Sequence, residues 1–244
     1  MHASLLSLCL FIGLAGTALA EGRFETDTIP TSAGDLKITF FGHASLLFEF
    51  VGKVIYLDPW GQQADYTKLP KADAILVTHE HFDHLDPAAI AAVRTSNTMV
   101  ALTAACAVKV KGGLLLKNSD TATVVGVPIE AVPAYNIVNQ REDGLPFHPK
   151  GAGNGYILTF GDQRVYVAGD TENTPEMKAL RNIDVAFLPM NLPYTMTPAM
   201  VADAARAFQP KILYPYHFGD TDTAKLVALM KDVAGVEVRV RKLK

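Results

Sequence analysis

Cysteine is scarce in this chain, with two in 244 residues, Cys9 and Cys106. Cys9 lies in an apolar amino-terminal stretch. Once that stretch is removed a single thiol remains, and no intrachain disulfide can form. Stability must then come from a buried core and bound groups rather than covalent staples, and Cys106 reads as a small buried hydrophobe. A basic surplus is also missing. Lys and Arg number 22 against 25 Asp and Glu, for a formal net charge of −3, and no basic stripe appears. This composition speaks against nucleic acid as a partner, and the lysines of 231–244 read as a solvated face. No linker, repeat or low-complexity tract divides the chain, so 21–244 reads as one domain. Hydrophobic residues make up 49%, enough for a sizeable core.

An apolar run over 5–19 opens the chain, and Ala18-Leu19-Ala20 before Glu21 fits a small-x-small cleavage site. Residues 1–20 are therefore expected to be a signal peptide, and the mature protein to be exported, periplasmic or secreted, with no stable membrane association after removal. A charged leading region is missing, and a retained anchor is the alternative, although the run is short for a membrane span.

What the chain does have is a dense group of metal-ligand side chains, His79-Glu80-His81-Phe82-Asp83-His84. Imidazole nitrogen and carboxylate oxygen are donors that borderline cations such as Zn²⁺ take. The preceding Ala74-Ile75-Leu76-Val77-Thr78 reads as a buried strand. Asp86-Pro87 then reads as a capping residue with proline at the first helical position. The cluster thus sits on a strand-to-helix turn, where functional groups on mixed scaffolds gather. His79 and His81, two apart, can face one side and hold one metal. Asp83 and His84 point differently and can reach a second.

Strands are expected over 36–41, 45–51, 53–57, 74–78, 99–103, 122–125, 128–133, 156–160, 164–168, 184–189, 211–216 and 236–240. Helices are expected from Asp86-Pro87, over 104–110, from Thr174-Pro175, over 197–208 and over 223–233. The segment 135–154 has no periodicity and reads as a long loop of the kind that carries function. Strands lead and helices mix in later, which suggests two sheets packed face to face with helices outside.

The hexapeptide resembles the signature of the metallo-β-lactamase superfamily, and further segments match in order. Phe41-Gly42-His43-Ala44-Ser45 and Leu57-Asp58-Pro59 resemble the branch that includes ascorbate-6-phosphate lactonase and N-acyl-phosphatidylethanolamine phospholipase D. Ala168-Gly169-Asp170-Thr171 resembles the segment carrying the bridging aspartate, and Tyr216-His217-Phe218-Gly219 the carboxy-terminal histidine segment. The resemblance implies an α+β fold, a four-layer αβ/βα sandwich. It implies one metal on His79 and His81, a second on Asp83, His84 and His217, and Asp170 bridging both. Two Zn²⁺ are expected, with Mn²⁺ or Fe²⁺ as alternatives.

Relatives place a further histidine between the hexapeptide and the bridging aspartate. Here the strand-end position is Asn136, and the one histidine in that interval is His148, inside the long loop. Either the loop returns His148 to the site, or the first metal has fewer protein ligands. A neutral amide is a poor zinc ligand beside imidazole, so His148 is expected to complete the first site.

The implied chemistry is hydrolysis of a small ester, lactone or phosphodiester by a metal-activated hydroxide. Asp83 would orient the hydroxide. His43 is either an acid or oxyanion donor, or a turn residue. Asp58 would accept an N–H from a ligand histidine. Lys150, Arg141 and Tyr194 read equally as plain surface or as groups that meet an anion on a small-molecule substrate; the oligomeric state is left open. Two other readings remain: a metal-binding protein of this fold with lost catalysis, and an iron redox enzyme. Redox members of the superfamily carry glutamate where this chain has His81, which favours hydrolysis.

Overall fold

The computed structural model describes residues 23–244; the expected signal peptide lies outside them. The chain builds two seven-stranded sheets, each in sequence order. The first contains β1 (Glu25–Ile29), β2 (Leu36–Gly42), β3 (Ser45–Phe50), β4 (Lys53–Leu57), β5 (Ala74–Leu76), β6 (Met99–Leu102) and β7 (Leu114–Leu115). The second contains β8 (Thr121–Val124), β9 (Val127–Ala134), β10 (Gly153–Phe160), β11 (Gln163–Val167), β12 (Val185–Pro189), β13 (Ile212–Tyr216) and β14 (Glu237–Val238). In each sheet the first four strands pair antiparallel and the last three join in parallel. Parallel strands need crossovers, and the longer ones here carry helices. They are α1 (Pro87–Val93) in the first half, and α2 (Pro175–Lys178), α3 (Pro198–Phe208) and α4 (Thr223–Met230) in the second.

The inner faces of the sheets meet in an aromatic core. Phe187 stacks on Tyr214 at 4.8 Å, Phe40 lies 5.3 Å from Tyr214, and Phe48 lies 5.6 Å from Phe160. Outside the first sheet, Leu47, Tyr56, Ile75, Val77 and Leu102 pack against Ile90 and Val93 of α1. On the second, the buried stripe Val201, Ala204, Ala205 and Phe208 of α3 joins the main core, with Phe208 6.1 Å from Tyr166. Helix, sheet, sheet, helix is the expected four-layer α+β sandwich.

Sequence reasoning overlooked two elements. β1 is polar in its first four residues, which alternate half-buried and exposed at a sheet edge, and β7 is only two residues long with both side chains exposed. The helix expected over 104–110 is a single 3-10 turn, Cys106–Val108, and the last helix ends at Met230 rather than 233. The strand expected over 236–240 is only Glu237–Val238. Lys231, Lys242 and Lys244 are exposed as expected, but the tail is not merely solvated, because Leu243 between them is fully buried. Arg241 holds Asp27 of β1 through both carboxylate oxygens, and His43 donates its backbone N–H to the Lys244 carbonyl at 3.1 Å.

Candidate metal centre

Strand ends from both sheets converge on one point. His79 follows β5 by two residues after Val77-Thr78. The chain then turns so that His84 and Leu85 donate backbone N–H to the His81 carbonyl before α1 begins. Asp86 caps that helix, accepting from Ala88 N and Ala89 N at 2.9 and 3.1 Å. Asp58 follows β4, Asp170 follows β11 and His217 follows β13. His43, Asp58 and His217 all have positive φ, at 53°, 45° and 47°. Such a conformation costs about 1 kcal/mol or more for a side-chain-bearing residue. Neighbours hold it: Asp58 N donates to Leu76 O, and His217 N donates to His43 O, each at 3.0 Å. Gly169, with φ +66°, turns the chain into Asp170 where a Cβ would stand 2.9 Å from the Asn154 carbonyl.

Two groups of donor atoms result. In the first, His81 Nδ1 lies 3.1 Å from His79 Nε2 and 3.2 Å from His148 Nε2. Asp170 Oδ2 is 3.3 Å from His148 Nε2 and 4.0 Å from His79 Nε2. In the second, His84 Nε2 is 3.4 Å from Asp170 Oδ1, and His217 Nε2 is 3.4 Å from Asp170 Oδ2 and 3.6 Å from Asp83 Oδ2. His43 Nε2 meets Asp83 Oδ2 at 3.0 Å. Asp170 is common to both groups.

Hydrogen-bond partners assign the tautomers. Asp58 is fully buried and accepts from Thr78 N at 2.8 Å, Thr78 Oγ1 at 2.7 Å and His84 Nδ1 at 2.8 Å. Since the Thr78 hydroxyl spends its proton on Asp58, it accepts from His79 Nδ1 at 3.0 Å. One carboxylate therefore fixes two histidines, directly and through a hydroxyl. Asn136 Oδ1 accepts from His148 Nδ1 at 2.7 Å and from His148 N at 2.8 Å. His79 Nε2 and His148 Nε2 are consequently bare lone pairs facing the same point, an arrangement that repels unless a cation lies between them. His84 Nε2, Asp170 Oδ1 and His217 Nε2 are buried without a hydrogen-bond partner. Tetrahedral zinc with bonds near 2.0–2.1 Å needs donors about 3.3 Å apart, close to the spacings found. The residues present fit metal, and the His/Asp cluster can bind it.

Charge follows the same logic. Burial lowers the pKa of His79, reinforced by the neighbouring His84. It also lowers His81, with help from His148. Both therefore stay neutral and able to donate a lone pair. Burial lowers His43, against the opposing hydrogen bond that it donates to Asp83. Burial works to raise Asp83 and Asp170, but the surrounding histidines outweigh it and hold both carboxyls below the usual range. For His84, burial is outweighed by the Asp170 and Asp58 carboxylates, which raise it.

The ligand, catalytic and orienting residues proposed from the sequence all lie at or against the cluster. The loop question has a geometric answer: His148 enters and Asn136 orients it. Lys150 is a correction. It bonds Glu176 at 2.6 Å and Tyr135 Oη at 3.3 Å instead of facing the site. Two participants escaped sequence reasoning. Thr78, next to His79, carries the hydroxyl relay. Glu172, fully buried, accepts from the backbone N–H of Ile137, Val138 and Asn139 at 2.7–2.9 Å and from Asn136 Nδ2 at 3.2 Å. It anchors the start of the loop that delivers His148, and the Asp170-Thr171-Glu172 run was the available signal.

Comparison with known proteins places these features in context. A model of the beta-lactamase superfamily domain matches residues 37–217. A curated metal-dependent hydrolase of Koribacter versatilis is 34% identical over 200 residues, covering 75% of this chain and 84% of that one. The crystal structure of a provisionally assigned metal-dependent hydrolase from Parabacteroides distasonis is 51% identical with a TM-score of 0.86, covering 91% of this chain and 100% of that one. A metallo hydrolase of Ignicoccus hospitalis is 25% identical with a TM-score of 0.70, covering 85% and 95%.

Proposed function

The chain belongs to the metallo-β-lactamase superfamily and is a metal-dependent hydrolase of that fold; from this premise we propose a dinuclear zinc enzyme that hydrolyses a small ester, lactone or phosphodiester. The observation that carries the proposal is Asp170, whose Oδ2 lies 3.3 Å from His148 Nε2 of one donor group and 3.4 Å from His217 Nε2 of the other, while its Oδ1 lies 3.4 Å from His84 Nε2. His79, His81 and His148 would hold one ion, Asp83, His84 and His217 the other, with Asp170 between. Bound zinc supplies Lewis acidity, bringing the pKa of water towards neutrality and polarising a carbonyl or phosphoryl oxygen.

The chain's own groups do the rest. Asp83 accepts a hydrogen bond from the attacking water and orients it. The water oxygen bonds to carbon or phosphorus, the bond to the leaving oxygen breaks, and that oxygen takes up a proton. His43 lines the same cavity and is held to Asp83, within reach to supply that proton or to steady the negative oxygen. Its backbone meanwhile ties β2 to His217 and to the chain end, so side chain and main chain have separate tasks. Export through the amino-terminal segment is part of the same proposal.

The test is elemental analysis of the purified protein beside His148→Ala, with assays on generic aryl esters, lactones and phosphodiesters. Two zinc per chain falling to one in the variant, with turnover lost, is the expected result. Full metal with no turnover on any class would favour the binding-protein reading. Unchanged stoichiometry in the variant would remove His148 from the ligand set.

A further inference from the structure

A cavity of about 370 Å³ opens directly above the donor cluster, at the compact end of small-molecule sites. Its floor is the cluster itself. On one side stands Phe82, 70% exposed although it lies inside the hexapeptide; behind it Trp60 sits 6.0 Å from Phe82 and 4.9 Å from His43. On the other, Phe147 and Tyr194 meet edge to face at 5.1 Å. Flat side chains on two sides favour a flat or branched apolar body between them.

Arg141 lines the same cavity. Its guanidinium lies 5.9 Å from the centre of the Phe147 ring and donates to the Phe147 carbonyl at 3.1 Å. Among the described residues no carboxylate comes within ion-pair distance of it, unlike Lys150 and Glu176 nearby. A guanidinium laid on an aromatic face keeps several N–H groups free for a planar anion.

We propose that this cavity takes a compact aromatic or branched apolar body bearing one carboxylate or similar anionic group, with Arg141 as its counter-charge and the scissile bond over the cluster. The proposal deepens the hydrolase reading and rests on it for the scissile bond, while the binding preference stands on the walls and on Arg141.

Trp60 is the chain's one tryptophan and lies against Phe82 and His43, which line the cavity, so its emission reports on their surroundings without turnover. The zinc-loaded protein is titrated with phenylacetate, phenylacetamide and acetate, which supply ring and charge, ring alone and charge alone. Phenylacetate should bind at least about tenfold more tightly than either, the size of one charge-assisted contact. Arg141→Gln should bring it down to the level of phenylacetamide, and Arg141→Lys should restore part of the difference. Acetate binding as well as phenylacetate would show capture by the metals alone and overturn the proposal. So would an unchanged phenylacetate affinity in Arg141→Gln. Ester assays run alongside separate the two readings: no turnover with the phenylacetate preference intact would sink the hydrolase reading and leave this one supported.

Discussion

Replacing Asp58 with asparagine changes one oxygen into NH₂ at a fully buried position, and the consequences can be followed atom by atom. If the amide oxygen keeps the bond from Thr78 N, the new NH₂ faces Thr78 Oγ1 and His84 Nδ1, which stand 2.7 and 2.8 Å from the original oxygen. An NH₂ group cannot accept. His84 must then carry its proton on Nε2, the atom that faces Asp170. The Thr78 hydroxyl, no longer donating to residue 58, turns its proton to His79 Nδ1 at 3.0 Å, which moves the His79 proton to Nε2 as well. Two inward-facing lone pairs are lost, one from each donor group. The opposite amide flip instead sets NH₂ against the Thr78 N–H, at about 1–3 kcal/mol for an orphaned donor. Losing the orienting partner of a ligand histidine weakens metal binding by about 10–100-fold, or about 1.4–2.7 kcal/mol. Here both ions should weaken, whereas His148→Ala should affect one. Zinc affinities from chelator competition on Asp58→Asn give the answer. Affinities within twofold of the parent would refute the tautomer argument, and loss at one site only would refute the Thr78 relay.

Other predictions are more local. Asn136→Ala removes both hydrogen bonds that the Asn136 side chain accepts from His148, leaving the backbone bond from Asn136 N to His148 O, and should weaken one zinc by about tenfold or more, with the other unchanged in the same competition assay. In the metal-free protein His84 holds its proton above its ordinary range; burial opposes this, but Asp170 and Asp58 prevail. Its raised value contributes stability that is present below about pH 6.5 and lost as pH rises through the folded value. Metal must displace that proton, so zinc affinity should climb with pH, and calorimetry at pH 7 in buffers of different ionisation enthalpy should show about one proton released per chain; none released would contradict the assignment. Burial lifts the Cys106 thiol to about 11, against a hydrogen bond from Thr103. At pH 9 it should resist thiol reagents until the protein unfolds. The matching stability is present below about 8.5 and lost as pH rises through 11, and fast labelling of folded protein would refute it.

Local chemistry was legible in the sequence wherever it was carried by neighbours in the chain. The hexapeptide, the Asp86-Pro87 helix start, the buried strands before His79, Asp170 and His217, and the pairing of β10 with β11 across Gly161-Asp162 all follow from short-range pattern. His148 could be chosen over Asn136 only on ligand chemistry and not on pattern, because its place depends on Glu172 gathering three backbone N–H groups from a loop more than 30 residues earlier in the chain. No periodicity records such a bond. Lys150 misled for the related reason that its partner, Glu176, is distant in sequence. β1 was missed because an edge strand needs no continuous apolar run. The last residues were misjudged because three lysines hide the single buried leucine between them.

The two sheets trace the same path: four antiparallel strands followed by three in parallel. Seen that way, the molecule is two copies of one strand plan facing each other, and the metal cluster lies on their seam. The first copy supplies His43, Asp58, His79, His81, Asp83 and His84; the second supplies His148, Asp170 and His217. Neither copy holds a complete donor set for either ion, and Asp58 and Asp170 occupy matching places, each just beyond the fourth strand of its copy. Bound metal would thus act as a clamp between halves, rewarding only the arrangement in which both are folded and docked. Chelation should accordingly loosen the seam before it loosens either sheet, and hydrogen exchange should register that loss first at Asn154 and His217, whose backbone N–H groups cross from one half to the carbonyls of Thr78 and His43 in the other.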